Sequence, residues 1–294
     1  MSSLFYIIFI KPPFCSIINN MNISEWLIAA TRQLKNIGVE SPRLDAELIL
    51  AETLRKPRTF LHANLDEMID PRRVDIADAR LGLRLDRVPI AYILGYKEFY
   101  GRKFFVSPNV LIPRPESEAV ISSLLEISAS DIGGRKNLLD IGTGSGCLGI
   151  TAKLERPELT VTLSDISPQS LIVAEKNANE LNASVNIKRQ DLLKGQIEKL
   201  DYIIANLPYV DPSWKVSEEL RHEPQLALFA NDGGLELIYK LLEQAPLHLV
   251  ADGWLLLEAD PEQHSAIEKA AAQHGFSLHS INDYCLVLRL SVTA

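Results

Sequence analysis

The sequence predicts an α/β protein in which a small helical bundle precedes a doubly wound parallel sheet with helices on both faces. Two patterns carry this prediction. Apolar residues recur at helical spacing from Asn22 to about Pro89, and short apolar runs then alternate with helical segments through the second half of the chain. With 294 residues, of which 47% are hydrophobic and 23% charged, the chain is long enough for one large domain and a smaller one.

Composition argues against several classes of function. The net charge of −8 argues against a broad nucleic-acid surface, because phosphate binding needs clustered lysine and arginine, although a local basic patch stays open. The cysteines, Cys15, Cys147 and Cys285, form no CxxC pair, and the histidines form no HExxH motif. The sequence therefore predicts no bound metal, no disulfide framework and a reducing, cytoplasmic compartment.

Residues 1–20 are apolar but too short to span a bilayer, and no basic segment precedes them as in a secretory signal. A natural start with a helix cap follows at Met21. We therefore interpret residues 1–20 as a disordered leader or an over-extended reading frame, with a weak membrane anchor as the alternative.

Residues 21–92 form the predicted helical domain. Asn22 with Glu25 resembles a capping box, and the pairs Ser41-Pro42 and Asp70-Pro71 each supply an N-cap residue followed by proline at the first helical position. The sequence of this stretch contains no motif that indicates a catalytic site. Its scattered arginines are interpreted as a solvated face, with partner contact as the second interpretation.

Aromatic residues on both sides of Gly101-Arg102 predict a β-hairpin, which we interpret as a linker at residues 93–113. Residues 114–294 form the predicted sheet domain. Two prolines fix the backbone around Arg114 and Glu116. These two side chains are candidates for the mouth of a binding site, although an ion pair that joins the domains fits the pattern equally well.

The first predicted strand of the sheet, Asn137–Ile141, runs into a glycine-rich loop. Two later strands are each followed by an acidic residue, Asp165 and Asp191. Ligands of open α/β folds bind at the carboxyl ends of the strands, where glycines admit a nucleotide and a carboxylate accepts from ribose hydroxyls. The loop residues that are candidates for this binding are Gly142, Thr143, Gly144, Ser145 and Gly146.

The stretch from Gly144 to Gly149 also satisfies GxGxxG, the pattern of nicotinamide dinucleotide sites, which is weak evidence alone. A nicotinamide dinucleotide site and the nucleotide site described above would both place a nucleotide across the end of the first strand. A dehydrogenase would also need a proton-transfer residue near a hydride acceptor, and the sequence offers none.

The fourth strand, Tyr202–Ala205, ends in Asn206, Leu207, Pro208 and Tyr209. The side-chain oxygen of Asn206 and the carbonyl oxygen of Leu207 are two fixed acceptors that suit a flat, NH2-bearing group, on which Tyr209 would stack. Such a nitrogen is a poor nucleophile because its lone pair is delocalised, and the barrier of about 18–20 kcal/mol to rotation about a peptide bond measures that delocalisation. The alternative is that the strand simply ends in a turn at Pro208 and that the segment has no binding role.

Together, the glycine loop, Asp165, Asp191 and the Asn206–Tyr209 segment resemble class I S-adenosylmethionine-dependent methyltransferases, whose core is a doubly wound seven-stranded sheet. The order of bundle, hairpin, glycine loop and Asn-x-Pro-Tyr resembles the release factor glutamine N5-methyltransferase family (HemK/PrmC type). The resemblance covers nearly everything after Met21. Further stretches that match the family are Ser41–Glu47, Pro89–Tyr92, Leu111–Glu116 and Glu223–Leu228.

This resemblance implies a cofactor, a substrate and a role for each matching residue. By resemblance, the Gly142–Gly146 loop wraps the methionine part of S-adenosylmethionine, Asp165 holds the ribose, and Asp191 with Leu192 borders the adenine. The Asn206–Tyr209 segment receives the glutamine of a Gly-Gly-Gln loop on a peptide chain release factor, which the helical domain docks. The glutamine nitrogen would attack the sulfonium methyl in line, with no metal and no strong base.

By the same resemblance, Asn206 borders both cofactor and substrate. Arg114 and Glu116, as candidates for the mouth of the site, are assigned to the substrate side. Two positions depart from the family pattern. Leu207 stands where the family usually has proline, which removes a restriction on Asn206 and predicts a looser loop with weaker catalysis. Ala259 stands where the family tends to have glycine, and the sequence supplies no account of this change.

Three other functions fit parts of the pattern. An adenine-N6 methyltransferase acting on DNA or RNA would present the same NH2 group, but it would need a basic groove and a means of extruding the base. The acidic composition opposes it. A glutamine methyltransferase that acts on a ribosomal protein is the second alternative, and an inactive binding module that keeps the fold is the third.

Overall fold

The structure is a computed structural model that describes residues 21–129 and 135–291. The leader that the sequence predicts at residues 1–20 lies outside the described residues. Contacts divide the chain between Leu94 and Gly95 into two units, and each is described by itself. None of the helices in these ranges is long and apolar enough to cross a membrane.

The first unit is helical, as the sequence predicts. The capping box is confirmed, because the Asn22 side chain accepts from the backbone N–H of Glu25 and the Glu25 carboxylate accepts from that of Asn22, both at 2.9 Å. Asp70 caps a later helix by accepting from the backbone N–H of Arg72 at 2.8 Å. The helices of this unit are α1 (Ile23–Asn36), α2 (Pro42–Leu54), α3 (Arg58–Ala63), α4 (Pro71–Leu85) and α5 (Ile90–Leu94).

A β-hairpin opens the second unit, at the place that the sequence predicts. Strands β1 (Tyr96–Phe99) and β2 (Arg102–Phe105) pair in antiparallel fashion. Phe99 and Phe104 are buried among apolar residues of the sheet and helices of this unit, with their rings in edge-to-face contact at a centroid distance of 6.1 Å. The hairpin is therefore part of the core of the second unit.

A seven-stranded sheet in the order β5-β4-β3-β6-β7-β9-β8 forms the centre of this unit. Strand β9 is antiparallel to both of its neighbours, and the remaining pairs are parallel. The fold class predicted from the sequence is thus confirmed. The strands are β3 (Asn137–Ile141), β4 (Thr160–Asp165), β5 (Asn186–Arg189), β6 (Leu200–Ala205), β7 (Leu249–Glu258), β8 (Phe276–Asn282) and β9 (Cys285–Leu290).

Helices cover both faces of the sheet. Side chains alternate along each strand, so that Leu138 faces one apolar layer and Leu139 the other. One layer is closed by α6, α7 and α8, and the other by α9 and α10. These helices are α6 (Glu118–Ser128), α7 (Cys147–Glu155), α8 (Pro168–Glu180), α9 (Glu236–Gln244) and α10 (His264–Gln273).

The strand order reverses between β3 and β6, which is where doubly wound sheets bind ligands. The register aligns the ends of neighbouring strands: Ile141 lies opposite Ser164 on one side and opposite Ala205 on the other. The glycine loop, Asp165 and Asn206 each begin one residue further on. They therefore meet at one edge of the sheet.

Candidate active site

A cavity of about 220 Å³ lies at this edge, over the ends of β3, β4 and β6. It gathers most of the residues that the sequence singles out. Gly146, Tyr209 and Glu116 are predicted site residues that do not line it. The predicted residues that do line it are Arg114, Gly142, Thr143, Gly144, Ser145, Asp165, Asp191, Leu192, Asn206, Leu207 and Pro208.

The glycine loop turns tightly because its glycines adopt the left-handed backbone region, with φ of +68° at Gly142 and +83° at Gly146. A Cβ atom on Gly146 would lie 2.7 Å from the Ile150 side chain. The third glycine of the GxGxxG pattern, Gly149, has a different role. A Cβ there would lie 2.3 Å from Leu163, so Gly149 lets helix α7 approach strand β4.

Asp140, the fourth residue of β3, stabilises the glycine loop through two hydrogen bonds. Its Oδ2 accepts from the Thr143 hydroxyl at 2.6 Å and from the backbone N–H of Gly149 at 2.9 Å. Burial raises the pKa of Asp140 to about 6, since these hydrogen bonds offset only part of the cost of a buried charge. The sequence pattern places Asp140 before the loop but does not identify this supporting role.

Asp165, at the end of β4, is fixed by backbone groups. Its Oδ2 accepts from the N–H of Gly144 at 3.0 Å, and its Oδ1 accepts from the N–H of Ser167 at 2.9 Å. Burial raises the pKa of Asp165, while these backbone donors oppose the rise. Each carboxylate oxygen has further lone-pair capacity, which suits it to accept from hydroxyl groups of a ligand.

Gln190 gives a test of whether the cavity fits a nucleoside. Its Nε2 donates to the carbonyl oxygen of Leu192 at 2.7 Å, whereas its Oε1 is buried and has no hydrogen-bond partner among the residues that the structure describes. Gln190, Asp191 and Leu192 all line the cavity. A buried acceptor in such a place calls for a donor, which the amino group of an adenine supplies. These residues therefore fit the cofactor that the sequence predicts.

The segment after β6 is held at several points. The Asn206 Nδ2 donates to the Ser117 hydroxyl at 3.2 Å, and the hydroxyl of Tyr209 donates to Glu258 at 3.3 Å. Burial raises the pKa of Tyr209, so its phenol is neutral at physiological pH. Leu207 is only 4% exposed and packs into the apolar layer closed by α9 and α10. This burial opposes the loosening expected from the missing proline.

Arg114 forms an ion pair with Glu223, its Nη2 lying 2.5 Å from Oε1. The second oxygen of Glu223 accepts from the backbone N–H of Ile112 at 3.0 Å. All three residues belong to the second unit, so this pair does not join the two units. It ties the cavity segment around Arg114 to the segment that begins at Glu223.

Several residues of the site were not identified from the sequence. Ser117 and Gln190 line the cavity, while Glu223 and Glu258 hold residues that line it or border it. Within the described ranges, no group of His, Cys, Asp and Glu side chains is arranged to hold a metal ion.

Two families match this chain in sequence. Residues 25–95 match the PrmC N-terminal domain, and residues 119–271 match the methyltransferase small domain. The release factor glutamine methyltransferase of Koribacter versatilis is 38% identical over 252 residues, which cover 82% of this chain and 89% of that protein. A Rickettsia conorii bifunctional methyltransferase is 31% identical, and the match covers 88% of this chain and 55% of that protein.

The chain thus spans about half the length of the bifunctional relatives that it matches. Among solved structures, the catalytic domain of hMettl16 in complex with an RNA hairpin has a TM-score of 0.52 and 15% identity, covering 73% of this chain and 82% of that one. This likeness shows the fold alone. By its sequence relatives, the chain belongs to the release factor glutamine methyltransferase family of class I S-adenosylmethionine-dependent methyltransferases.

Proposed function

We propose that this protein transfers a methyl group from S-adenosylmethionine to the side-chain amide nitrogen of a glutamine in the Gly-Gly-Gln loop of a peptide chain release factor. The observation that carries the proposal is the position of Asn206 and Leu207 at the sheet edge, lining the same cavity as the glycine loop and Asp165. A substrate that works in translation termination places this activity in the cytoplasm. The family relationship supports both the reaction and the substrate class.

The cofactor residues follow from the cavity. The Gly142–Gly146 loop would hold the methionine part, Asp165 the ribose, and Asp191 with Leu192 the adenine. When bound, S-adenosylmethionine supplies an activated methyl group on a sulfonium sulfur. The buried acceptor of Gln190 supports the assignment of the adenine end.

The substrate residues act by orientation. Asn206 Oδ1 and the carbonyl oxygen of Leu207 would each accept one N–H of the glutamine amide, which favours a nitrogen whose lone pair points into the cavity. Alignment of two reactants accounts for a large part of the barrier reduction in such reactions. Pro208 lines the cavity beside these acceptors, whereas Tyr209, the last residue of the segment, does not line it, so the described structure gives no support to the stacking role predicted for its ring. Arg114 would lie on the substrate side.

We also propose a division of labour between the two parts of the chain. Residues 21–92 would dock the release factor, residues 93–113 would connect the parts, and residues 114–294 would carry the reaction. The match of residues 25–95 to the PrmC N-terminal domain supports the first assignment.

The reaction is tested by incubating the protein with methyl-labelled S-adenosylmethionine and purified release factors. We expect label in a release factor with an intact Gly-Gly-Gln loop and none when its glutamine is replaced by alanine. Label that persists in the alanine form would refute the proposed acceptor. Label found in RNA, DNA or a ribosomal protein instead would favour the corresponding alternative.

The role of Asn206 has a matched control in the same chain. Asn282 also donates its side-chain amide to a serine hydroxyl, that of Ser123 at 3.3 Å, but it does not line the cavity. We expect Asn206→Ala to lower kcat by roughly 10²–10³, the usual cost of removing one preorganised polar group. Asn282→Ala should keep near-normal kcat. Full activity of Asn206→Ala with a release factor would contradict the assigned role.

A further inference from the structure

Glu258 lies beside Asn206 in the sheet. Strands β6 and β7 pair with Ala205 opposite Leu257, so the next residue on each strand is Asn206 and Glu258. Glu258 is only 1% exposed, and its Oε1 accepts from the hydroxyl of Tyr209 at 3.3 Å. Its Oε2 is buried and has no hydrogen-bond partner among the described residues. A buried carboxyl group thus lies next to the Asn206–Tyr209 segment.

Ser117 forms a hydrogen bond with Asn206 and lies near this carboxyl group. Its hydroxyl oxygen accepts from Asn206 Nδ2 at 3.2 Å, and its side chain is buried at the cavity edge. Burial raises the pKa of Glu258, and the polar groups of Ser117, Tyr209 and Asn206 oppose that rise, with the hydroxyl of Ser117 as the largest opposing contribution. Asn206 and Ser117 are thus joined by a hydrogen bond, and the carboxyl group of Glu258, whose Oε2 has no partner among the described residues, lies close to both.

The direction of hydrogen bonding among Asn206, Ser117 and Glu258 follows from which of their side-chain groups can donate and which can only accept. An ionised carboxylate accepts and cannot donate. A hydroxyl that directs its proton towards the carboxylate keeps lone pairs to accept from an amide. The Asn206 NH2 is then committed to Ser117, which leaves Asn206 Oδ1 for the other side.

We propose that Ser117 and Glu258 are positioning residues that fix the orientation of the Asn206 amide, so that its oxygen and not its NH2 faces the substrate nitrogen. This inference rests on the proposed function, because orientation matters only if Asn206 accepts from an N–H group. With the amide turned over, two NH2 groups would face each other and the acceptor would be lost. Ser117 and Glu258 act through Asn206 and need no contact with the reacting atoms.

The variant Ser117→Ala removes the hydroxyl, while Ser117→Thr keeps it and adds a methyl group at a buried position. If Ser117 orients Asn206, Ser117→Ala should lower kcat roughly tenfold, about the scale of one net hydrogen bond, and Ser117→Thr should stay within about threefold of the parent. The KM for S-adenosylmethionine should change little in both. A role in packing alone predicts the reverse order, because the added methyl group disturbs a buried site more than the lost hydroxyl does.

Ser123→Ala is the matched control. Ser123 is a buried serine of the following helix whose hydroxyl accepts from an asparagine amide, yet it does not line the cavity. We expect its kcat to stay near that of the parent. An equal loss of kcat in Ser117→Ala and Ser123→Ala would overturn the inference.

A double variant shows whether Ser117 acts through Asn206. In an Asn206→Ala background, Ser117→Ala should cause no further fall in kcat, because the amide that it orients is absent. A second tenfold fall in that background would contradict a positioning role.

A second readout needs no substrate. The side-chain NH2 signals of Asn206, identified by their loss in Asn206→Ala, should exchange with solvent several-fold faster in Ser117→Ala and Glu258→Gln than in the parent. Unchanged exchange in both variants would overturn the inference. If exchange rises as expected but the parent methylates no release factor, the proposed function fails and the orientation of Asn206 stands.

Discussion

Gly234 provides a sharp test of how the Asn206–Tyr209 segment is held. Its φ is +85°, and a Cβ atom there would lie 1.9 Å from the carbonyl oxygen of Tyr209 and 2.6 Å from Gln263 Nε2. The same Nε2 donates to that carbonyl oxygen at 2.8 Å and to the carbonyl oxygen of Gly233 at 2.7 Å. Gly234 and Gln263 thus clamp the backbone of Tyr209 three residues after Asn206.

The size of the perturbation follows from these distances. Real Cβ contacts are not shorter than 3.0 Å, so Gly234→Ala must move the Tyr209 carbonyl by 3.0 − 1.9 = 1.1 Å or displace Gly234 by as much. A misplacement of about 1 Å in a reactive geometry costs roughly 10²-fold in rate. We therefore expect kcat for release factor methylation to fall about 10²-fold. The left-handed backbone adds about 1–2 kcal/mol of strain for any residue with a Cβ.

Gly233→Ala separates strain from displacement. Gly233 also has a positive φ, +67°, but a Cβ there would meet nothing within 4 Å. Both variants carry the backbone strain, and only Gly234→Ala carries the clash. The assays are label transfer to a release factor and urea unfolding of each variant. Equal kcat in the two variants would refute the clamp.

Two further predictions concern buried charge. Burial raises the pKa of Asp140 from 3.8 to about 6, so its contribution to stability is fully present below about pH 4 and is lost as pH rises to about 6, by about 3 kcal/mol in total. The difference in unfolding free energy between the parent and Asp140→Asn should therefore depend on pH across this window, which urea titrations from pH 4 to 7 measure. Arg114→Ala leaves the carboxylate of Glu223, only 2% exposed, without its cation. Because Arg114 itself is 31% exposed, we expect a loss of about 1–3 kcal/mol, less than for a fully buried pair, and Glu223→Gln should restore part of it.

The sequence predicts the parts of this molecule that depend on local pattern. Alternating apolar runs predict the strands, and the residues that follow them, such as Asp165 and Asn206, collect at one edge because parallel strands share a direction. The glycine loop is equally local, because its turn is set by residues that are neighbours in the chain. For these features, element type and order suffice to place the chemistry.

The parts that the sequence does not predict depend on distant pairings. Ser117 reaches Asn206 across 89 positions, and Glu223 reaches Ile112 across 111. Such contacts follow from the register of the sheet and from loop paths that have no periodic signal. Glu258 had one available signal: like Asn206, it is a polar residue at the end of a buried strand, and neighbouring strands that end together bring such residues side by side.

At Leu207, the loss of a proline loosens the backbone, whereas burial of the leucine side chain stabilises it. Loss of the family proline frees the backbone, and a restriction of that kind is worth about 0.4–1 kcal/mol. Burial of a leucine side chain contributes about 1.5–3 kcal/mol, and Leu207 is buried in the apolar layer next to the glycine loop, where a Cβ on Gly142 would come within 3.2 Å of it. The burial exceeds the lost restriction. Leu207 therefore holds the segment by its side chain where a proline would hold it by its ring, and this burial opposes a loosening of the backbone at Asn206 and Leu207.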